Sequence, residues 1–400
     1  MKETCVKAIA SGGVASCRSV ASSRGVRLVN LDNISGNIKA IKNLVKPGTM
    51  VMAVVKADAY GHGIIAVSKT AIEAGAQWLG CATVHEGMTL RRNGIKSPIL
   101  ILSPVFPEEY ENLVAHDLVA SVFSVETCAG ISACAARLGK KAAVHIKIDT
   151  GMNRIGFDCT DTQTVLDDVS MIFNIPNIDV SGIYSHFAAA DCDPGFTQEQ
   201  FSRFQKIADA MEERGLKIPI RHISNSAGVL NHPECSLDMV RCGAIVYALA
   251  PDSLPESAKR LQHLGFRQAM TLKSRVSRVK TVKKGESVGY GRSYTAAQDM
   301  RVASVPLGYA DGLSRKLSGK GRVLVNGRFC GIVGNICMDQ FMADVTGMTV
   351  KTGDEVVVIG ESGGQCISFE DVARLQGTIN YEIATSLSLR LPVGYAWAKR

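Results

Sequence analysis

From residue 26 to about 264 the chain alternates short apolar runs with amphipathic segments, and this alternation constrains its fold more than any other feature. The strand-like runs are VRLVNL (26–31), MVMAVV (50–55), WLGCAT (78–83), PILILS (98–103), DLVASV (117–122), AVHIKI (143–148), DVSGIY (179–184) and IRHIS (220–224). Helix-like stretches such as 33–45, 64–75, 125–138 and 197–214 lie between them. In the last, Phe201, Phe204, Ile207 and Ala208 share one face, the spacing of a helix packed on a sheet. Continuous apolar runs such as 50–55 belong to strands buried on both faces of a parallel sheet. Eight strand–helix units predict an α/β fold, a (β/α)8 TIM-type barrel over 26–264. A doubly wound open sheet is the alternative, but no GxGxxG follows a strand to support it.

Beyond about residue 264 helical periodicity gives way to β-rich runs with turn residues: TLKSRVSRVK, MRVASVPLG, GRVLVNGRFCGIVG and DEVVVIG. Asn326-Gly327 between alternating flanks is a strong type I′ hairpin signal. A mostly β C-terminal domain over 265–400 follows, with one helix at 368–375 and a closing strand at 383–391. The Ser/Ala-rich residues 1–25 are expected to form a poorly ordered N-terminal extension.

The net charge of +8 (45 basic, 37 acidic) is spread without a dominant basic block, which gives no footprint for nucleic acid. The 12 cysteines make no CxxC pair and no Cys/His cluster of zinc spacing, so neither a metal nor a disulfide scaffold is expected. No stretch of about 18 apolar residues could span a membrane. Residues 1–24 lack the roughly 7–15-residue apolar core of a secretory signal, so the expected compartment is the cytoplasm.

The run 50–55 ends abruptly in Lys56, before the polar turn Ala57-Asp58-Ala59-Tyr60-Gly61-His62-Gly63. A lysine there is costly unless paired, deprotonated or covalently engaged. In a barrel the carboxyl ends of the strands carry the chemistry. By itself Lys56 reads as a snorkelling surface lysine. In 143–149, period two puts Val144, Ile146 and Ile148 on one face and His145, Lys147 and Asp149 on the other. The polar face would enter the lumen, and with Arg154 just beyond it makes a charged mouth; a self-satisfying internal ion pair is the plainer reading. Ser226 and the backbone at Gly243-Ala244 could donate to a phosphate with no bulky side chain between.

In order, AVVKADAYGHG, KIDTGMNRIG, YSHFAAAD, HISNSAG, RCGAIVYALAP, ESVGYGRSYTA, PLGYADG and NICMDQFMADV resemble the corresponding segments of alanine racemases, from about residue 26 to 381. This resemblance implies pyridoxal 5'-phosphate held as a Schiff base on Lys56. It gives the phosphate to Tyr60, Ser226, Gly243, Ala244 and Tyr381, and places His186 and Arg241 around the ring. Arginine stays protonated, so Arg241 against the pyridine nitrogen would make the ring a weaker electron sink. By the same resemblance Arg154 and the Met338 backbone amide hold the substrate carboxylate, and Tyr309 lines the entrance. Lys147 matches a lysine often found carbamylated.

Tyr290 becomes the second base, opposite Lys56, contributed by the partner of an obligate homodimer with shared active sites. A phenol accepts a proton near neutral pH only where cations stabilise its phenolate; His186 and Arg154 are the candidates. The implied activity is two-base racemisation of L- and D-alanine, the D form serving bacterial peptidoglycan. A serine or broad-specificity racemase is the alternative, and a non-catalytic binding protein for the same cofactor stands further off. A decarboxylase of basic amino acids would need a cysteine motif and glycine triplet that are not visible. Asn335 stands where this family commonly has arginine, and the ending LPVGYAWAKR lacks the usual basic residues after the proline.

Overall fold

The computed structural model describes residues 4–10, 13–15 and 23–398. The chain divides into two compact units, one of residues 35–59 and 64–246, the other of the remainder.

The first unit is the barrel. Its eight strands are Met50–Val54, Trp78–Cys81, Ile99–Ile101, Val119–Val122, Ala142–Asp149, Ile178–Tyr184, Arg221–His222 and Met239–Cys242. They pair in parallel, with Met239–Cys242 beside Met50–Val54. The amide of Arg241 donates to the Ser224 carbonyl (2.9 Å) and that of Asp238 to the Arg221 carbonyl (3.1 Å), which bridges the remaining seam. Met52, Trp78, Leu100, Val119, Tyr184 and Met239, one from each of six strands, pack as a buried cluster. The lumen is thus a filled core rather than a pore. Several helices start on side-chain caps: Thr83, Ser124, Asp161 and Asp193 each accept from a backbone amide of the first turn.

The expected strand count is met, but its membership is corrected. The run 26–31 is no barrel strand. Gly25–Asn30 lies antiparallel to Met270–Arg275 and parallel to Val393–Ala398 in the sheet of the other unit. Its burial alternates, unlike barrel strands such as Trp78–Cys81 and Val119–Val122, which are buried throughout, and Arg27 turns inward where the Leu391 and Gly61 carbonyls take its guanidinium. The eighth barrel strand is Met239–Cys242, which runs into the start of the string RCGAIVYALAP.

The second unit carries a long mostly antiparallel sheet. Arg322–Val325 and Arg328–Val333 pair across Asn326-Gly327, with φ of 46° and 78°, as the hairpin signal required. The expected helix spans Phe369–Gln376, capped by Ser368. The closing strand is corrected: 383–391 is not extended, because Asn380–Thr385 is helical and the strand is Val393–Ala398. Buried Asn380 anchors that helix by donating to the Ala250 carbonyl (2.8 Å) and the Glu370 carboxylate (2.7 Å). Thr4–Ala10 pairs antiparallel with Val393–Ala398, and Gly13–Ala15 with Thr4–Ala10; residues 1–3, 11–12 and 16–22, also part of the stretch expected to be a poorly ordered extension, lie outside the described residues.

Candidate active site

Lys56 begins a short helical turn, Lys56–Gly61, directly after the first barrel strand. Ala57, Asp58, Ala59 and Tyr60 have φ of 53–54°, so the turn is left-handed. Each non-glycine residue there costs about 1–2 kcal/mol, so surrounding contacts must impose the conformation. The Ala57 amide donates to the Glu86 carboxylate (2.6 Å) and that of Ile64 to Asp58 (2.8 Å), while Arg27 caps the Gly61 carbonyl (2.9 Å). Gly61 and Gly63 have φ of 78° and 92°, and a Cβ would overlap the Ala384 carbonyl oxygen or the Tyr395 hydroxyl, respectively. The GHG of the motif is therefore a steric requirement.

The Lys56 amine is half-buried and makes no hydrogen bond or ion pair among the described residues. Burial lowers its pKa, Arg154 lowers it further, and Glu86 opposes both. The polar face of Ala142–Asp149 enters the lumen as expected. Lys147 is buried, donates to the Ile148 carbonyl (2.6 Å), and has its amine pushed down to about 7 by burial and then by Arg241. Asp149 does not pair Arg154 through its side chain. It accepts from the amides of Gly151, Asn153 and Arg154 (2.9–3.0 Å), which shapes the loop and, against the effect of burial, holds its carboxyl below the usual range. The Arg154 guanidinium is exposed and carries no partner among the described residues.

Arg241 is the hub of a buried network. One nitrogen donates to His222 Nδ1 (2.7 Å); the other reaches the Ser185 and Ile223 carbonyls and His186 Nδ1 (2.6, 3.0 and 2.9 Å). Since arginine only donates, both imidazoles accept at Nδ1. His222 then donates through Nε2 to His145 Nδ1 (2.9 Å), leaving the His145 Nε2 proton buried and unpaired. Tyr184 stacks on His222 at 4.9 Å, beneath Arg241, and donates to Ser121 (2.7 Å). Burial first, then the charge of Arg241, lowers all three imidazoles, His145 to about 3. His186 is therefore neutral, which corrects the expectation that it stabilises a phenolate. Burial lowers Arg241 only to about 10, so it stays cationic.

Ser226, Gly243 and Ala244 converge: the Ser226 hydroxyl accepts from the Gly243 amide at 3.1 Å, and all are buried. Small residues, amide donors and a hydroxyl suit a phosphate. In the other unit the Tyr60 ring lies 4.8 Å from Tyr247 and 6.0 Å from Tyr381; burial raises the Tyr60 hydroxyl to about 12, keeping it a donor. Tyr290 is 73% exposed and lines a groove of about 660 Å³ with Met338, Cys337 and Gln340. Asn335 donates to the Tyr290 carbonyl (2.8 Å), so it acts on the Tyr290 turn. The amides of Tyr309 and Ala310 donate to the carbonyls of Cys337 and Met338 (3.1 and 3.0 Å), joining the PLGYADG and NICMDQ strings.

Sequence reasoning gave no role to Tyr184, His222 or Glu86. Glu86 was findable: Thr83-Val84-His85-Glu86 is a capping box at a barrel strand's end. Among the described residues the cysteines are free thiols, no Cys/His/Asp/Glu group could hold a metal, and no helix is long and apolar enough to cross a membrane.

A half-buried lysine with a lowered pKa, an exposed arginine without a partner among the described residues and a buried cluster of Ser226, Gly243 and Ala244 gather on the loops of a parallel barrel, an arrangement suited to an enzyme acting on a small anionic molecule. Family profiles described as "Alanine racemase, N-terminal domain" and "Alanine racemase, C-terminal domain" match residues 29–251 and 269–395. The alanine racemase of Desulforamulus reducens is 42% identical over 369 residues, 92% of this chain and 97% of that protein. An alanine racemase structure from Clostridium difficile 630 superposes with a TM-score of 0.88 at 36% identity, covering 95% of this chain and 97% of that one. One from Bartonella henselae "with covalently bound pyridoxal phosphate" gives 0.81 at 25% identity, covering 93% and 99%. The chain belongs to the alanine racemase family.

Proposed function

We propose that this chain interconverts L- and D-alanine, with pyridoxal phosphate as resident cofactor and Lys56 and Tyr290 as the two proton-carrying groups. The cofactor, when bound, supplies the electron sink that acidifies the substrate α-hydrogen. Ser226, Gly243 and Ala244, with the hydroxyls of Tyr60 and Tyr381, would hold its phosphate, and Arg241 and His186 would lie about its ring. Arg241 is cationic and pinned by four acceptors, so it could stabilise a ring nitrogen's lone pair but not readily release a proton.

Lys56 would take or return the proton at Nζ. Its lowered pKa raises the neutral fraction a base needs near neutral pH. Arg154 would receive the substrate carboxylate as a bidentate pair, assisted by the Met338 amide. Lys147, at about 7, is partly neutral near neutral pH, the form that adds carbon dioxide; the resulting carbamate would give Arg154 an anionic neighbour. Tyr309 would line the entrance. Tyr290, exposed in its own groove, would work on the opposite face in the site of a second copy, making the homodimer obligate.

The lysine carries this reading: its amine sits unpartnered at the carboxyl end of a barrel strand, depressed by burial and by Arg154. Borohydride reduction of the protein loaded with pyridoxal phosphate should fix the cofactor on Lys56 in a peptide map, and the loaded enzyme should convert L-alanine to D-alanine. Cofactor fixed on another lysine would overturn the assignment. Serine converted as fast as alanine would move the reading to a broad-specificity racemase, and loading without any conversion to a binding protein.

A further inference from the structure

Glu86 belongs to none of the motifs above, yet its two oxygens meet three backbone amides on two loops. Oε2 accepts from Ala82 (2.8 Å) and Thr83 (3.2 Å), closing the capping box of the helix Val84–Arg92. Oε1 accepts from Ala57 at 2.6 Å. Ala57 follows Lys56 and is the first residue of the left-handed turn. The strands that feed these loops, Met50–Val54 and Trp78–Cys81, are neighbours in the barrel. A helix cap needs only the contact to Thr83; the reach to Ala57 is additional.

We infer that Glu86 is a positioning residue for Lys56, its carboxylate tying together the loops after two adjacent barrel strands and clamping the strained turn that carries the lysine. A left-handed run of non-glycine residues relaxes once its first amide loses its acceptor, and the lysine moves with it. The same carboxylate is the anion set against Arg154 in the field on the amine, so position and charge at Lys56 share one origin. Only the turnover arm of the test rests on the function proposed above.

The test uses the full chain before and after loading with pyridoxal phosphate. In the unloaded protein, reaction of Lys56 with a small amine-directed reagent, read by peptide mapping across pH, gives the titration midpoint of the amine. Glu86→Gln should move that midpoint to lower pH, because a negative charge is lost. Turnover of the loaded enzyme should fall about 10- to 100-fold with little change in KM, as expected for a misplaced reacting group. Glu86→Asp should keep the midpoint near that of the parent yet lose turnover, because a shorter side chain cannot span both loops. Thr83→Ala breaks the capping box but spares the contact to Ala57; it should lower the melting temperature and leave midpoint and turnover unchanged. A Glu86→Gln protein that loses only melting temperature, or a Thr83→Ala protein whose midpoint moves equally far, would reduce Glu86 to a helix cap. If the parent never takes up cofactor on Lys56, the functional proposal fails while the titration arm still decides the clamp.

Discussion

At the scale of single residues, the buried network of the barrel keeps His145, His186 and His222 neutral and Arg241 charged. Arg241 fixes the protons of His222 and His186, and His222 fixes that of His145. Their folded pKa values lie below the ordinary value near 6.5. Between the folded and ordinary values the unfolded chain binds protons that the native chain refuses. The contribution is thus fully present above pH 6.5 and is lost as pH falls below it, for His145 down to about 3, by about 1.4 kcal/mol per pH unit for each proton. Urea unfolding at pH 5 should show lower stability than at pH 7, and His222→Gln should remove about one proton from that dependence. An unchanged dependence in His222→Gln would mean that this imidazole is charged in the native state. His145 and Arg241 of this network stood out in the sequence, and His222 only as part of a strand-like run. Their mutual contacts did not, because His145 and His222, 77 residues apart, and His222 and Arg241, 19 apart on different strands, meet only when strands close a barrel.

At the scale of elements, the left-handed turn after Lys56 is the least legible feature. Ala-Asp-Ala-Tyr has no strong preference for positive φ, and only the flanking glycines hinted at an unusual backbone. Contacts from Glu86, Asp58 and Arg27 impose it. Ala57 is exposed at φ 53°, so Ala57→Gly should relieve strain and raise stability by about 1 kcal/mol. The denaturant midpoint should rise while turnover falls, since a freer turn holds Lys56 less firmly. A destabilised protein would show that the turn is not strained at Ala57. The strand 26–31 is the opposite case: its alternation and inward Arg27 mark a strand buried on one face, a signal overridden by the count of eight strand–helix units.

At the scale of the whole molecule, the function proposed above would draw its second base from another copy of the chain. Tyr290 sits in a groove of its own unit, its main chain held by Asn335. Mixing Lys56→Ala and Tyr290→Phe proteins after dissociation tests whether sites are shared. Random re-pairing makes half the dimers mixed, each with one intact site, so activity should recover to about a quarter of the parent level. No recovery despite confirmed mixed dimers would place both bases in one subunit.

The sequence by itself determined the barrel and β-rich classes, the lysine at a strand's end, the I′ turn and the order of the family strings. Each is a local pattern of periodicity, turn chemistry or spacing, and local patterns survive without the fold. Tertiary structure decided which runs close the barrel, which proton each histidine carries, and the left-handed hand of the Lys56 turn. Those depend on hydrogen bonds between residues distant in the chain, and on strain that only a completed fold can hold.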